Sequence, residues 1–596
     1  MHKESGSSDL GRAFRFLVAA ALGAVLATVG RGVAAAQSQS SVGMPPGGTP
    51  AAASLAVNVL DKAAPDECFF GIGSPQNQFP ATSCPAGTPK VNQSYVWGLA
   101  QYKNTLWFGT AANPLCEVIS ALFSAAGVAA PPFQTQSYVC EFAQSHFLVD
   151  NPQVPPELGD WRPPLIMSVD LATGEVTDRT PNDPRIQQTL GLRSAVATNN
   201  KVVILGGPVL APLNSPSQGI NLFAFNAKTG DYLGSTTLTK YSDIRIWTQL
   251  RGFYAGVKKS DGTGAVLRWR GSVKSPFQFE EVGTLDNEAS YVIAHNGRIF
   301  ASTWRNTGSP SSPPSGIWVS QKVGPNGLRA KNAGHWTKIF SISEYEPDAV
   351  TANLTLGGAL GEEGGYLYFG TMSVPISSAL AHFITFPATL DSVTDIVTTI
   401  INSQRAIAIF RCCRAQKGAE FGTPVELLYG DSVMPAFDPA TNSWHTVPNN
   451  MNVEPIFGPA GFGNPFNTYT WAMGSFQGQL YVGTFDWSFL VADLVTELLN
   501  TLGLNGNDIV TAITQLQQAF SPDLITFGAD LWKFPNANSP ASAESRFGVG
   551  NFLNYGVRTM VGSKNALFVG TANPMNLRTN SANPPLGGFE LLDLAP

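Results

Sequence analysis

The stretch Tyr555–Pro574, YGVRTMVGSKNALFVGTANP, decides the fold. It reads as a β-hairpin: an apolar strand, a polar turn at Gly562–Asn565, and a second strand, ALFVGT. The same pattern is written at Tyr95–Pro114 (YVWGLAQYKNTLWFGTAANP) and at Tyr469–Phe485 (YTWAMGSFQGQLYVGTF). Looser copies lie at Leu192–Gly207, Ile244–Val257 and Tyr291–Thr303, and a degraded one at Ala349–Thr371 ends in YLYFGT. One supersecondary unit repeated along a chain is the mark of a repeat architecture.

Each copy is followed by two further short apolar runs. Copy one leads into Leu165–Asp178 and copy two into Ile220–Thr236; the turns DLATGE, NAKTGD and DPATNS carry Asp or Asn where a tight turn tolerates them. Copy five leads into VMPAFDPATNSWHTV and copy seven into GFELLDL. Four strands per unit, repeated about seven times, resemble a seven-bladed β-propeller with turns of the kelch or quinoprotein type. The fold class is therefore all-β, with the propeller spanning 53–596. Its last unit lacks an outermost strand, which Ser54–Asp61 is placed to supply, removing an exposed edge.

Composition agrees. Charged residues make up 13% of the chain, while 59 Gly and 43 Pro supply many turns. A net charge of -6 lacks the basic excess of a nucleic-acid binder. Residues 1–36 read as a signal peptide: Arg12 and Arg15 precede the apolar run Phe16–Val29, and Ala34–Ala36 suits cleavage before Gln37. Residues 37–52 read as a disordered lead-in. The expected product is an exported monomer, periplasmic or extracellular, with no transmembrane segment after cleavage. Six cysteines fit an oxidising compartment. The simplest pairing closes Cys68 with Cys84 and Cys116 with Cys140, leaving Cys412 and Cys413 as a vicinal pair, a rigid bend, or members of separate disulfides.

Three units carry long insertions after the second strand: 111–163, 372–424 and 486–526. Each holds apolar residues at helical spacing, at Leu115–Phe123, Leu390–Ile401, Phe489–Leu502 and Ile509–Phe520. In propellers this position lies at one mouth of the central channel, so the insertions are expected to form a lid there.

The first strand of each unit should line that channel. Counting back twelve residues from the second-strand glycines Gly109, Gly483 and Gly570 gives Trp97, Trp471 and Arg558. One-residue slips give Arg193, Arg245 (or Ile246) and Tyr291; copy five does not align. Arginine binds carboxylate, phosphate or sulfate through its planar fork, and tryptophan offers a flat face to a sugar or a cation. The alternative is that these residues staple neighbouring units, with Asp243, Asp286, Glu288, Glu344, Glu346, Asp348 and Asp486 as neutralising carboxylates.

No catalytic constellation is complete: GxSxG, HExxH and the Walker loop are all absent. The histidines are scattered, with His295 in a hairpin turn and His445 in an outer strand, and no metal site is expected from them. No cofactor is predicted; an oxygen-ligated Ca²⁺ has no motif to locate it. Two enzyme classes stay open. An acidic-glycan hydrolase or lyase would use the arginines for the anion and Asp486 as acid, although the Asp box of sialidases is missing. A quinoprotein dehydrogenase would set a quinone against Cys412–Cys413, although the docking Trp of that family's turns is missing. The leading expectation is a non-catalytic propeller that binds an anionic or glycan-like ligand, or a protein partner, beneath its lid.

Overall fold

The computed structural model describes residues 55–596 apart from 75–76, 79–83, 126–128, 146, 213–216, 307–310, 503, 505 and 520–526. The signal-peptide and lead-in readings lie outside the described residues, as does the end of the last insertion helix.

The described strands form successive four-stranded antiparallel meanders. The first runs through Gln93–Tyr102, Thr105–Ala112, Ile166–Asp170 and Val176–Asp178. Complete meanders follow from Ser194 to Leu238, from Tyr241 to Leu285 and from Glu288 to Ser341. The fifth comprises Thr355–Glu363, Tyr366–Ser373, Ile409–Cys412 and Glu426–Tyr429, and the sixth Asn467–Phe476, Gln479–Asp486, Leu531–Phe534 and Ser542–Ser545. The last takes Gly556–Gly562, Leu567–Ala572 and Glu590–Ala595, and its fourth strand is Ala56–Lys62, antiparallel to Glu590–Ala595. The N-terminal strand therefore fills the missing edge. Each first strand packs on that of the next meander, and the first strand of the last meander packs on Gln93–Tyr102. The strands close into a ring, as a β-propeller requires.

The recurring Gly-Thr of the second strand explains how neighbours fit. A Cβ on Gly483 would lie 2.3 Å from Val557 Cγ1, and one on Gly570 2.5 Å from Val96 Cγ1. Only glycine lets the next first strand lie across that point. The threonine hydroxyl then accepts an N–H from the third strand, as at Thr110 from Leu165 (2.8 Å), Thr484 from Asp530 (2.9 Å) and Thr571 from Glu590 (2.9 Å). The turns behave as their residues dictate: Asp170, Asn226 and Asp438 each accept a backbone N–H two residues on.

Two assignments in the fifth unit need correction. Ala349–Leu354 is a short helix capped by Asp348, which accepts from Thr351 N at 2.7 Å, so the first strand starts only at Thr355. The VMPAFDPATNSWHTV segment is a separate hairpin, Val433–Asp438 with Ser443–Pro448; the outer strands come instead from Ile409–Cys412, within the presumed insertion, and Glu426–Tyr429.

The insertions carry the expected helices: α1 (Pro114–Ala125), α2 (Ser377–Thr385), α3 (Val393–Ser403), α4 (Val491–Thr501) and α5 (Gly506–Ala519). Among the described residues, α2 and a one-turn helix at Phe147–Asp150 have no counterpart in the helical spacing read from the sequence. The buried face of α3 is Ile396, Val397 and Ile400, at i, i+1 and i+4. His382 of α2 is buried, bonds Asp348 and stacks near Trp444 of the extra hairpin, so that hairpin buttresses the lid. All three expected disulfides are formed, Cys68–Cys84, Cys116–Cys140 and the vicinal Cys412–Cys413. No helix among the described residues is long and apolar enough to cross a membrane.

Candidate functional site

A chamber of about 250 Å³ lies in the ring beneath α1 and α4. Arg193, Arg245, Arg558, Trp97 and Trp471 all line it, and a smaller space of about 170 Å³ below it adds Tyr291. The six residues placed by repeat register thus come together. A shared irregularity places several of them: the first strands of the first, third, sixth and last meanders carry a β-bulge at this level, whereas Arg193 directly precedes an unbulged strand and Tyr291 follows a bulge at Ser290. Trp97 is the extra residue between Val96 and Gly98, Trp471 between Thr470 and Ala472, and Arg558 between Val557 and Thr559. Arg245 and Ile246 occupy the bulge between Ile244 and Trp247. A bulge leaves one residue unpaired and re-aims its side chain, here toward the channel. The fifth meander bulges at Gly358 and Ala359, which explains why its copy resists alignment and adds no long side chain.

The arginines differ in their partners. Arg245 Nε donates to Glu288 Oε1 at 2.5 Å and approaches Asp243 Oδ2 at 3.2 Å, with its guanidinium 3.7 Å over the Trp304 ring. Arg193 Nη1 donates to the same Asp243 Oδ2 at 2.5 Å and lies 4.2 Å over Trp97. Burial opposes the charges of Arg193, Arg245 and Asp243, yet Asp243 is held below the usual carboxylate range by Arg193 and Arg245. Arg558 has no carboxylate within ion-pair reach among the described residues. Its guanidinium sits 5.4 Å over Trp471 beside Tyr291, whose hydroxyl donates to Trp471 O, and its Nε and Nη1 are buried without a hydrogen-bond partner. Burial pushes its pKa down to about 10, and Arg193 and Arg245 push the same way.

Opposite these cations, Glu117 projects from the first turn of α1, with Oε1 buried and unbonded. Burial raises its pKa to about 8, against the pull of Arg193. The chamber therefore holds three guanidinium groups against two committed carboxylates and one carboxyl inclined to be neutral. Such a site carries positive charge in apolar surroundings and suits an anion.

Several residues here were not singled out from sequence. Tyr95, Tyr469 and Tyr555 line the chamber, and the Tyr95 and Tyr555 hydroxyls hydrogen-bond each other. The signal was present, since each of the three clearest repeat copies opens on one of these tyrosines. Glu117 and Trp304 had no such mark.

Other candidates lie elsewhere. Asp486 is fully buried, accepts from Ser488 N at 2.7 Å and Asn464 Nδ2 at 2.7 Å, and does not line the chamber; burial lifts its pKa to about 7. Asp286 pairs with Lys338, Glu346 with Arg405 and Asp348 with His382, while Glu344 caps a helical turn. Asn113 and Asn573 of the Asn-Pro loops bond neighbouring loops through their side-chain amides. His295 ends a strand and is buried, with Nε2 against Cys413 O. Cys412 pairs with Leu367, near the start of the second strand, which places the vicinal disulfide at the end of the ring away from the lid.

No family model matches the chain, and no curated protein matches it. Among solved structures, it is similar to the Dos1 propeller (6% identity over 84% of this chain and 93% of that one, TM-score 0.36). It is also similar to a chain of the mitotic checkpoint complex (8% identity, 87% and 97% covered, TM-score 0.34). A third is the GH43_1 enzyme from Xanthomonas citri complexed with xylotriose (10% identity, 49% and 80% covered, TM-score 0.25). Likenesses this distant say nothing about function; the ring of first strands carries the propeller assignment on its own.

Proposed function

We propose that this chain is an exported, seven-bladed propeller that binds an anionic ligand in the chamber beneath its helical insertions and performs no chemistry on it. One observation carries the reading: Arg558 is buried with two guanidinium nitrogens unbonded and, among the described residues, no carboxylate within ion-pair reach. A buried charge without a partner costs several kcal/mol on the order of magnitude, and an anion bridging Arg558 and Arg193 would remove that cost. The glycan reading has less support, because guanidinium groups already lie over the Trp97 and Trp471 rings. The hydrolase reading has less support too, because Asp243 and Glu288 are engaged by arginines and Asp486 is sealed off.

The test is a thermal-shift series with phosphate, sulfate, acetate and glucuronate on the wild type and on Arg558→Met. Binding to the native state raises Tm. A rise in the wild type that disappears in the variant is the expected outcome; equal rises in both would place the anion site elsewhere.

A further inference from the structure

We infer that the ligand is a single-chain amphipathic anion, its head at Arg558 and Arg193 and its unbranched apolar tail running out between α1 and α4. This rests on the anion reading above and names the ligand class. A second cavity, of about 380 Å³, lies outward of the arginine chamber, and the two share Ile119, Leu122 and Leu494 as walls. They adjoin along one face of α1, since Leu115, Ile119 and Leu122 stand at i, i+4 and i+7. Beyond that neck the walls are Phe123, Phe133, Ile376 and Leu380.

Charge sets the orientation. The outer cavity carries Asp493 and Glu497, with Tyr138 donating its hydroxyl to Asp493 at 3.2 Å. An anionic head there would face two carboxyl groups, whereas in the inner chamber it meets unbonded guanidinium nitrogens. The inner chamber is otherwise mostly apolar, so a small hydrated anion would leave much of its wall without contact. A chain of methylenes running past Ile119, Leu122 and Leu494 supplies that contact.

The experiment is calorimetric titration of the purified, lipid-stripped protein with saturated carboxylates from two to sixteen carbons, each below its micelle concentration, beside the alcohols of equal length. Affinity should rise roughly three- to fourfold per methylene, the equivalent of burying each one, and then level off. Alcohols should bind at least tenfold more weakly than the matching acids. Dodecyl phosphate in parallel ranks carboxylate against phosphate as the head; binding by either supports the proposal. Leu122→Trp, narrowing the passage between the cavities, should weaken dodecanoate at least tenfold and butyrate by much less. Should that variant not fold, Leu380→Trp makes the same test by filling the outer cavity. Equal affinity at all chain lengths would overturn the amphipathic ligand while leaving the anion reading standing. Equal affinity of alcohols and acids would overturn the head at the arginines. Binding by no member of either series, with small anions also silent, would overturn both.

Discussion

Arg245 and Arg558 occupy equivalent bulges in the first strands of the third and last meanders, yet their surroundings are opposite. Around Arg245, Glu288 and Asp243 satisfy the guanidinium, and Asp243 reaches across to Arg193. Around Arg558 there are Trp471, Tyr291 and Tyr555, with no carboxylate in ion-pair reach among the described residues. One side of the channel is thus a finished staple between meanders, and the other is an open valence. The same residue type at the same register position is satisfied in one unit and left with unbonded nitrogens in another, and only the neighbours decide which.

The sharpest way to break this contrast is Asp243→Ala. It leaves two buried arginines short of a partner, and urea denaturation should show a loss of about 3–5 kcal/mol. A loss below about 1 kcal/mol would mean that the paired side is no staple. Arg558→Met should act in the opposite direction. Replacing an unpaired buried charge by an apolar side chain of similar length should raise stability by about 1 kcal/mol in the same assay, with small-anion binding abolished. A clear destabilisation would show that Arg558 is already satisfied and the two sides are alike. The smallest effect belongs to Glu117. Its folded pKa, near 8, exceeds the ordinary 4.5, so the folded chain takes up a proton between those values. That contribution is present below pH 4.5 and is lost as pH rises through 8. Tm of the wild type should therefore decline from pH 5 to 9, and Glu117→Gln should remove roughly a degree or two of that decline. An unchanged pH profile in the variant would place the titration in other groups.

Much of the architecture was legible because it rests on local rules repeated many times. A hairpin with a Gly-Thr in its second strand signals both the close crossing at Gly483 or Gly570 and the hydroxyl that receives the third strand. Counting back from that glycine reached Trp97, Trp471 and Arg558 because the bulge sits at the same level in those three first strands. What was not legible depends on contacts between distant segments. Seven carboxylates were plausible partners for the arginines, and nothing in their spacing marks Asp243 and Glu288 as those that reach them. Glu117 acquires its role only because Pro114–Ala125 folds over the ring mouth. The fifth unit misled because its bulge holds two small residues and an extra hairpin imitates the outer strands.

The pairing of Ala56–Lys62 with Glu590–Ala595 has a consequence for how the molecule comes into being. A chain made from its N-terminus produces this strand first and its partner last, with more than five hundred residues between them. Contacts so far apart in sequence raise the entropic cost of closure and slow folding. Until Leu594 has been synthesised, Val57 has no neighbour and the ring stays an open ribbon with unpaired edges at both ends. Closure of the ring therefore comes after the strands of every other meander have been made.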